Sequence, residues 1–119
     1  MSTVSLSNCL AVASKAAVAA GSLLARHAGR PRTVMTKRSA IDLVTEVDKA
    51  SEKLIQSALS RAFPDFGFLG EEQGARDEGR EYRWVVDPID GTTNFVHGLP
   101  LFGVSIGLQR REQLVAGVI

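Results

Sequence analysis

Trp84-Val-Val-Asp87-Pro-Ile-Asp90-Gly-Thr-Thr-Asn-Phe95 is the stretch from which the rest of the chain is best read. An apolar approach, Tyr82 to Val86, has the composition of a strand, and Asp87-Pro88 breaks it because proline brings no N–H to a ladder. On a straight strand Asp87 and Asp90 would lie ~10 Å apart and face opposite sides. Folded into a turn or a first helical turn, side chains three apart come within ~5–6 Å. An octahedral Mg²⁺ with oxygens at ~2.1 Å holds adjacent ligands ~3 Å apart, a spacing two such carboxylates can reach. Gly91, Thr92 and Thr93 follow, with backbone N–H groups at a turn or helix start where phosphate oxygens are favoured. The threonine hydroxyls could orient water. An acidic turn feeding a phosphate-binding turn is the arrangement that metal-assisted phosphoester hydrolysis requires. Taken alone, an Asp-x-x-Asp pair more often merely caps a turn.

Upstream, Phe66 to Leu69 is a short apolar run that meets Gly70-Glu71-Glu72, and Gln73 to Glu81 is polar and Gly-containing, as in an exposed loop. Ile41 to Thr45 leads into a helix, with Thr45 and Asp48 spaced as a capping box at its start. Val47, Leu54, Ile55, Ala58, Leu59 and Ala62 line its apolar face and Pro64 ends it. Thr33 to Lys37 reads as a short β-branched strand. An earlier helix carries Leu6, Leu10, Ala13, Ala17, Ala20 and Leu24 on one face and stops at Gly29 to Pro31. Downstream, Leu101 to Gln109 and Leu114 to Ile119 flank Arg110 to Gln113 as a hairpin with a four-residue loop. Helices precede strands, which predicts an α+β fold of layered helices on an antiparallel sheet.

The 119 residues are one domain's worth, and 45% apolar with 23% charged residues is an ordinary globular balance. Fourteen basic against thirteen acidic residues give +1, too little for a general nucleic-acid footprint. The single cysteine, Cys9, forms no internal disulfide and suits a buried position in a reducing compartment. Cys9 to Ala25 is interrupted by Lys15 and falls short of the ~20 strongly apolar residues of a membrane span. Met1 to Ile41 holds six basic and no acidic residues, a pattern shared with transit peptides. Its apolar face runs straight into a Gly/Pro stop, which favours a helix of the folded domain. Leu114 to Ile119 ends on an apolar strand residue, and the expectation is a chain cut short there. His97 reads as a loop or packing residue, His27 as a charge at a helix end, Trp84 as core, and Arg76, Arg80 and Arg83 as part of a solvated loop.

Glu71-Glu72 alone would be a solvated loop and Asp48 alone a helix cap. Together, Asp42-Leu-Val-Thr-Glu-Val-Asp48, Gly70-Glu-Glu72 and the Trp84–Phe95 block closely resemble the inositol monophosphatase family. Val96-His-Gly-Leu-Pro100 and Val104-Ser-Ile-Gly107 continue the resemblance, which covers nearly the whole chain. It implies the N-terminal half of the αβαβα sugar-phosphatase fold, and a Mg²⁺-dependent phosphomonoesterase that forms no covalent intermediate. By matching positions, Glu71, Asp87 and the Ile89 carbonyl would hold a first metal, and Asp87 would bridge to a second that Asp90 also ligates. Glu71 and Thr92 would orient the attacking water, with Asp48 hydrogen-bonded to Thr92. The N–H groups of Gly91, Thr92 and Thr93 would take the substrate phosphate, and Lys37 matches a basic position near a third, weaker metal. The resemblance implies inositol 1-phosphate as substrate, with fructose-1,6-bisphosphate, histidinol phosphate or a nucleoside 3′,5′-bisphosphate as alternatives. It also implies a homodimeric parent protein about twice this length, and composition and charge add the expectation of a cytoplasmic protein with no membrane or nucleic-acid partner. A third aspartate of the second metal site lies in the other half of that parent. A fragment acting only as an interaction module is the non-enzymatic alternative.

Overall fold

Alanine-rich helix α1 spans Leu6–His27, with the Ser5 hydroxyl accepting the Asn8 N–H at 3.2 Å as its cap. The structure is a computed structural model that describes residues 4–27, 37–71, 74–75, 80–90 and 102–119, and the backbone alone at 37–45, 74–75 and 90. The buried row of α1 is Cys9, Ala13, Ala16, Ala20 and Leu24. Ala13, Ala20 and Leu24 fall where the periodicity puts them, but Leu6 and Leu10 are 41% and 39% exposed. Cysteine and alanine allow a closer approach to neighbouring elements, so the small residues define the packing row and the leucines stay at its margin. By length and composition α1, with a mean hydropathy of 1.4, would suffice to cross a membrane, despite Lys15. Its buried row belongs to the core of this fold.

Helix α2 spans Lys37–Ala62, starting well before the expected Thr45. Thr45 and Asp48 are therefore interior residues and form no capping box, and Lys37 is helical instead of closing a strand. Thr33 to Thr36 and the Gly29 to Pro31 stop lie outside the described residues. No glycine or proline occurs between Lys37 and Ala62, so nothing in the backbone halts helix propagation until Pro64. The inner face of α2 carries Val47, Asp48, Ser51, Glu52, Ile55 and Leu59, all buried. Ala62, assigned to that face by its spacing, is exposed.

Five strands follow: β1 Gly67–Gly70, β2 Gly74–Ala75, β3 Tyr82–Asp90, β4 Gly103–Arg110 and β5 Gln113–Val118. They form one sheet in the order β2-β1-β3-β4-β5. Three pairings are antiparallel, as expected of this fold class, and β1–β3 is parallel, so the sheet is mixed. The parallel pairing is what brings the ends of β1 and β3 together. Part of the expected Gln73–Glu81 loop is β2, and Arg83 is a β3 residue whose Nη2 donates to Gln109 Oε1 at 2.8 Å. The hairpin turn is tighter than expected, with only Arg111 and Glu112 between the Arg110–Gln113 pair. Arg111 pays for that tightness with a left-handed φ of 55°.

Helix α2 packs over β3, and α1 over β4 and β5. Trp84 pairs with Leu108 and Val86 with Ile106; all four are buried beneath the helices. At the start of β3, Phe63 and Phe66 stack with centroids 4.9 Å apart, and Phe66 stacks on Tyr82 at 5.1 Å. Trp84 closes this cluster as the core residue it was expected to be, 5.9 Å from each phenylalanine.

Candidate metal centre

Asp87 lies in β3 and pairs with Ser105, in the same alternation as Val85 with Gly107. It therefore projects from the face away from the helices, and it is exposed. The strand does not end at Pro88, as its composition suggested. It continues to Asp90, which pairs with Gly103. Three steps along β3 from Asp87 thus match two steps along β4 from Ser105, which is a β-bulge with one extra residue on β3. Proline at a bulge leaves no ladder donor missing.

The bulge solves the parity problem of the Asp-x-x-Asp spacing without a turn. Ser105 and Gly103 are two apart and share one face, so the register returns position 90 to the face that position 87 occupies. Buried Pro88 and Ile89 fill the bulge on the helix side. An extra residue normally leaves a backbone group outside the ladder, and a buried carbonyl left so costs about 1–3 kcal/mol. Here the fully buried Ser51 hydroxyl of α2 donates to the Pro88 carbonyl at 3.0 Å.

The second carboxylate arrives from β1. Phe68 pairs with Trp84 and Leu69 with Val85 in the parallel register. Continued by two residues, that register sets Glu71, exposed just past the strand end, beside Asp87. Neighbouring strands run ~4.8 Å apart, so two side chains at this level can share one small cation. Gly70 is closely covered here: a Cβ would stand 2.6 Å from Glu52 Cδ and 2.7 Å from Phe68 Cε1, and would collide with Glu52 Oε1 unless those side chains shifted. The Glu52 carboxyl, fully buried on α2, takes up the space a side chain would need.

Asp48 stands one helical turn before Ser51 on the same inner face and is 7% exposed. Gly91, Thr92, Thr93 and His97 lie outside the described residues, and Lys37 is described only as the first residue of α2. Ser51 and Glu52 escaped the sequence reading. Their signal was spacing, because Asp48, Ser51 and Glu52 extend the Ile55–Leu59 stripe toward the N-terminus of α2.

The exposed carboxylates of Glu71 and Asp87 are hard oxygen donors, a chemistry that fits Mg²⁺ and suits no soft metal. Among the described side chains no group of three or more His, Cys, Asp or Glu forms a ligand cluster; Asp90 is described by its backbone alone.

Two helices packed on one face of a mixed five-stranded sheet, with a bulge in β3, define an α+β layered fold. Residues 5–119 match the profile of the inositol monophosphatase family, and the chain belongs to that family. It is 48% identical over 107 residues to the inositol-1-monophosphatase of Mesorhizobium japonicum, covering 88% of this chain and 40% of that protein. It is 40% identical to the fructose-1,6-bisphosphatase/inositol-1-monophosphatase of Aquifex aeolicus over 92% of this chain and 42% of that one. The crystal structure of the extragenic suppressor protein suhB from Bartonella henselae superposes with a TM-score of 0.80 at 42% identity, covering 94% of this chain and 43% of the other. The chain thus spans about two fifths of the length of these relatives.

Proposed function

We propose that residues 1–119 are the N-terminal, metal-binding α+β domain of a longer Mg²⁺-dependent phosphatase that hydrolyses inositol 1-phosphate to inositol and phosphate. The observation that supports this reading is the β1–β3 register, Phe68 with Trp84 and Leu69 with Val85, which continued by two residues would bring Glu71 beside Asp87, together with the bulge between Asp87 and Asp90. The likeness to the Mesorhizobium enzyme supports the choice of substrate. Glu71, Asp87, the Ile89 carbonyl and Asp90 would hold Mg²⁺. Bound there, the cation supplies an acidified water and charge neutralisation at the leaving oxygen. Glu71 and Thr92 orient the attacking water, and Asp48, held on the buried face of α2, accepts the Thr92 hydroxyl. The N–H groups of Gly91, Thr92 and Thr93 bind the phosphate oxygens, and Lys37 belongs to the active-site segment near a third, weaker metal. The parent protein is a cytoplasmic homodimer.

A second substrate, fructose-1,6-bisphosphate, is favoured by the double activity in the Aquifex relative's name. Both readings are tested with the full-length protein on a panel of inositol 1-phosphate, fructose-1,6-bisphosphate, histidinol phosphate and a nucleoside 3′,5′-bisphosphate. The expected outcome is Mg²⁺-dependent release of phosphate, fastest from inositol 1-phosphate and lost in Glu71→Gln. Failure to hydrolyse any of the four, or full activity in Glu71→Gln, overturns the proposal. The 119-residue chain alone is expected to bind Mg²⁺ weakly and to stay far below the ~1 s⁻¹ of an ordinary enzyme.

A further inference from the structure

Two adjacent side chains of α2 touch the two ligand-bearing strands from behind. Ser51 donates to the Pro88 carbonyl at 3.0 Å across thirty-seven residues of sequence. Glu52 occupies the space over Gly70, immediately before Glu71. Both are fully buried. Neither can reach a ligand on the opposite face of the sheet, so neither touches the reacting atoms.

We propose that Ser51 is a positioning residue for the metal centre. Its hydroxyl fixes the Pro88–Ile89 peptide plane at the bulge, the unit immediately before the one that carries the Ile89 carbonyl, and so restrains both that carbonyl and the offset between Asp87 and position 90. Glu52, seated over Gly70, gives the same helix a hold on the Glu71 strand. One rigid element thus sets the separation of Glu71 from Asp87. This proposal rests on the reading of Glu71, Asp87 and Asp90 as Mg²⁺ ligands.

The test is Mn²⁺ binding to the full-length protein, followed by loss of the free-ion electron paramagnetic resonance signal well below the melting temperature, with Ser51→Ala, Ser51→Thr and Asp87→Asn. Removal of a group that orients metal ligands weakens affinity about tenfold or more. Ser51→Ala is expected to bind Mn²⁺ about tenfold more weakly, and to need correspondingly more Mg²⁺ for activity while recovering most of its kcat at saturation. Ser51→Thr, which keeps the hydroxyl, is expected to restore the wild-type Kd. A purely structural hydrogen bond would lower the melting temperature and leave the Kd of the folded protein unchanged; that result overturns the proposal. Should Ser51→Ala not fold, Ser51→Cys, of similar size with only a weak donor, must show the same weakening, and a wild-type Kd there overturns the proposal equally. Asp87→Asn separates the two levels. If it leaves Mn²⁺ binding intact, the metal reading itself has failed; if it abolishes binding while Ser51→Ala does not weaken it, only the role of Ser51 has failed.

Discussion

At its Tyr82 end β3 is a regular ladder strand under an aromatic cluster, with Phe63, Phe66, Tyr82 and Trp84 in contact and Arg110 bonded to Glu81 at 2.6 Å on the surface. At its Asp87 end the same strand is bulged, proline-containing and backed by the buried polar side chains Ser51 and Glu52. One end gathers apolar area and keeps its register. The other departs from a regular register, and the Ser51 hydroxyl of α2 satisfies a carbonyl there. Helix α2 mirrors the division, its inner face running from Asp48, Ser51 and Glu52 to Ile55 and Leu59. Apolar and polar packing are thus separated along one strand and one helix.

Substitutions at the two ends should fail differently. Asp90→Asn in the full-length protein is expected to lower kcat about 10⁴-fold, ~5.4 kcal/mol of transition-state stabilisation, with an unchanged circular dichroism spectrum and melting temperature. An unchanged kcat would remove Asp90 from the site. Trp84→Ala is expected to cost about 4 kcal/mol of stability in urea titration, while a folded remainder keeps its Mg²⁺ affinity. A large affinity loss there would show that the two ends are not separable. Gly70→Ala lies at the boundary and should cost about 1–3 kcal/mol through overpacking, with weaker Mg²⁺ binding because Glu52 is displaced.

Smaller effects belong to positions remote from the bulge. Arg111→Gly relieves the left-handed φ of 55° and should stabilise by about 0.5–1 kcal/mol with unaltered activity, seen as a higher urea midpoint. Burial pushes the Cys9 thiol above its ordinary 9.0. The unfolded chain then gives up its proton first as pH rises, so the contribution is fully present below pH 9 and is lost above it. Cys9→Ala should flatten the decline of stability above pH 9, beside a pH-independent cavity cost of about 1 kcal/mol. A decline equally steep in the variant would place its source elsewhere.

The regular end of the molecule was largely legible in the sequence. Trp84, Ile55 and Leu59 follow strand and helix periods, and Pro64 marks the end of α2. The irregular end was legible in its residue types and not in its geometry. Asp87 and Asp90 raised the expectation of a hard-cation site, but proline and glycine suggested a turn where the strand carries a bulge. A bulge is visible only in the register with β4, which depends on residues far along the chain. Ser51 is buried because a carbonyl thirty-seven residues away needs a donor, and nothing adjacent to it in sequence reports that need. The early start of α2 was missed for a similar reason, since a Thr-x-x-Asp spacing resembles a cap wherever it falls.

The account depends most on Glu71 and Asp87 sharing a cation, and a crystal structure of the full-length protein grown with Mn²⁺ tests this directly through anomalous scattering. The predicted result is an anomalous peak within coordination distance of both carboxylates and of the Ile89 carbonyl, with Asp90 on the same side of the sheet. A peak elsewhere at saturating Mn²⁺, with Glu71 and Asp87 turned apart, would contradict it.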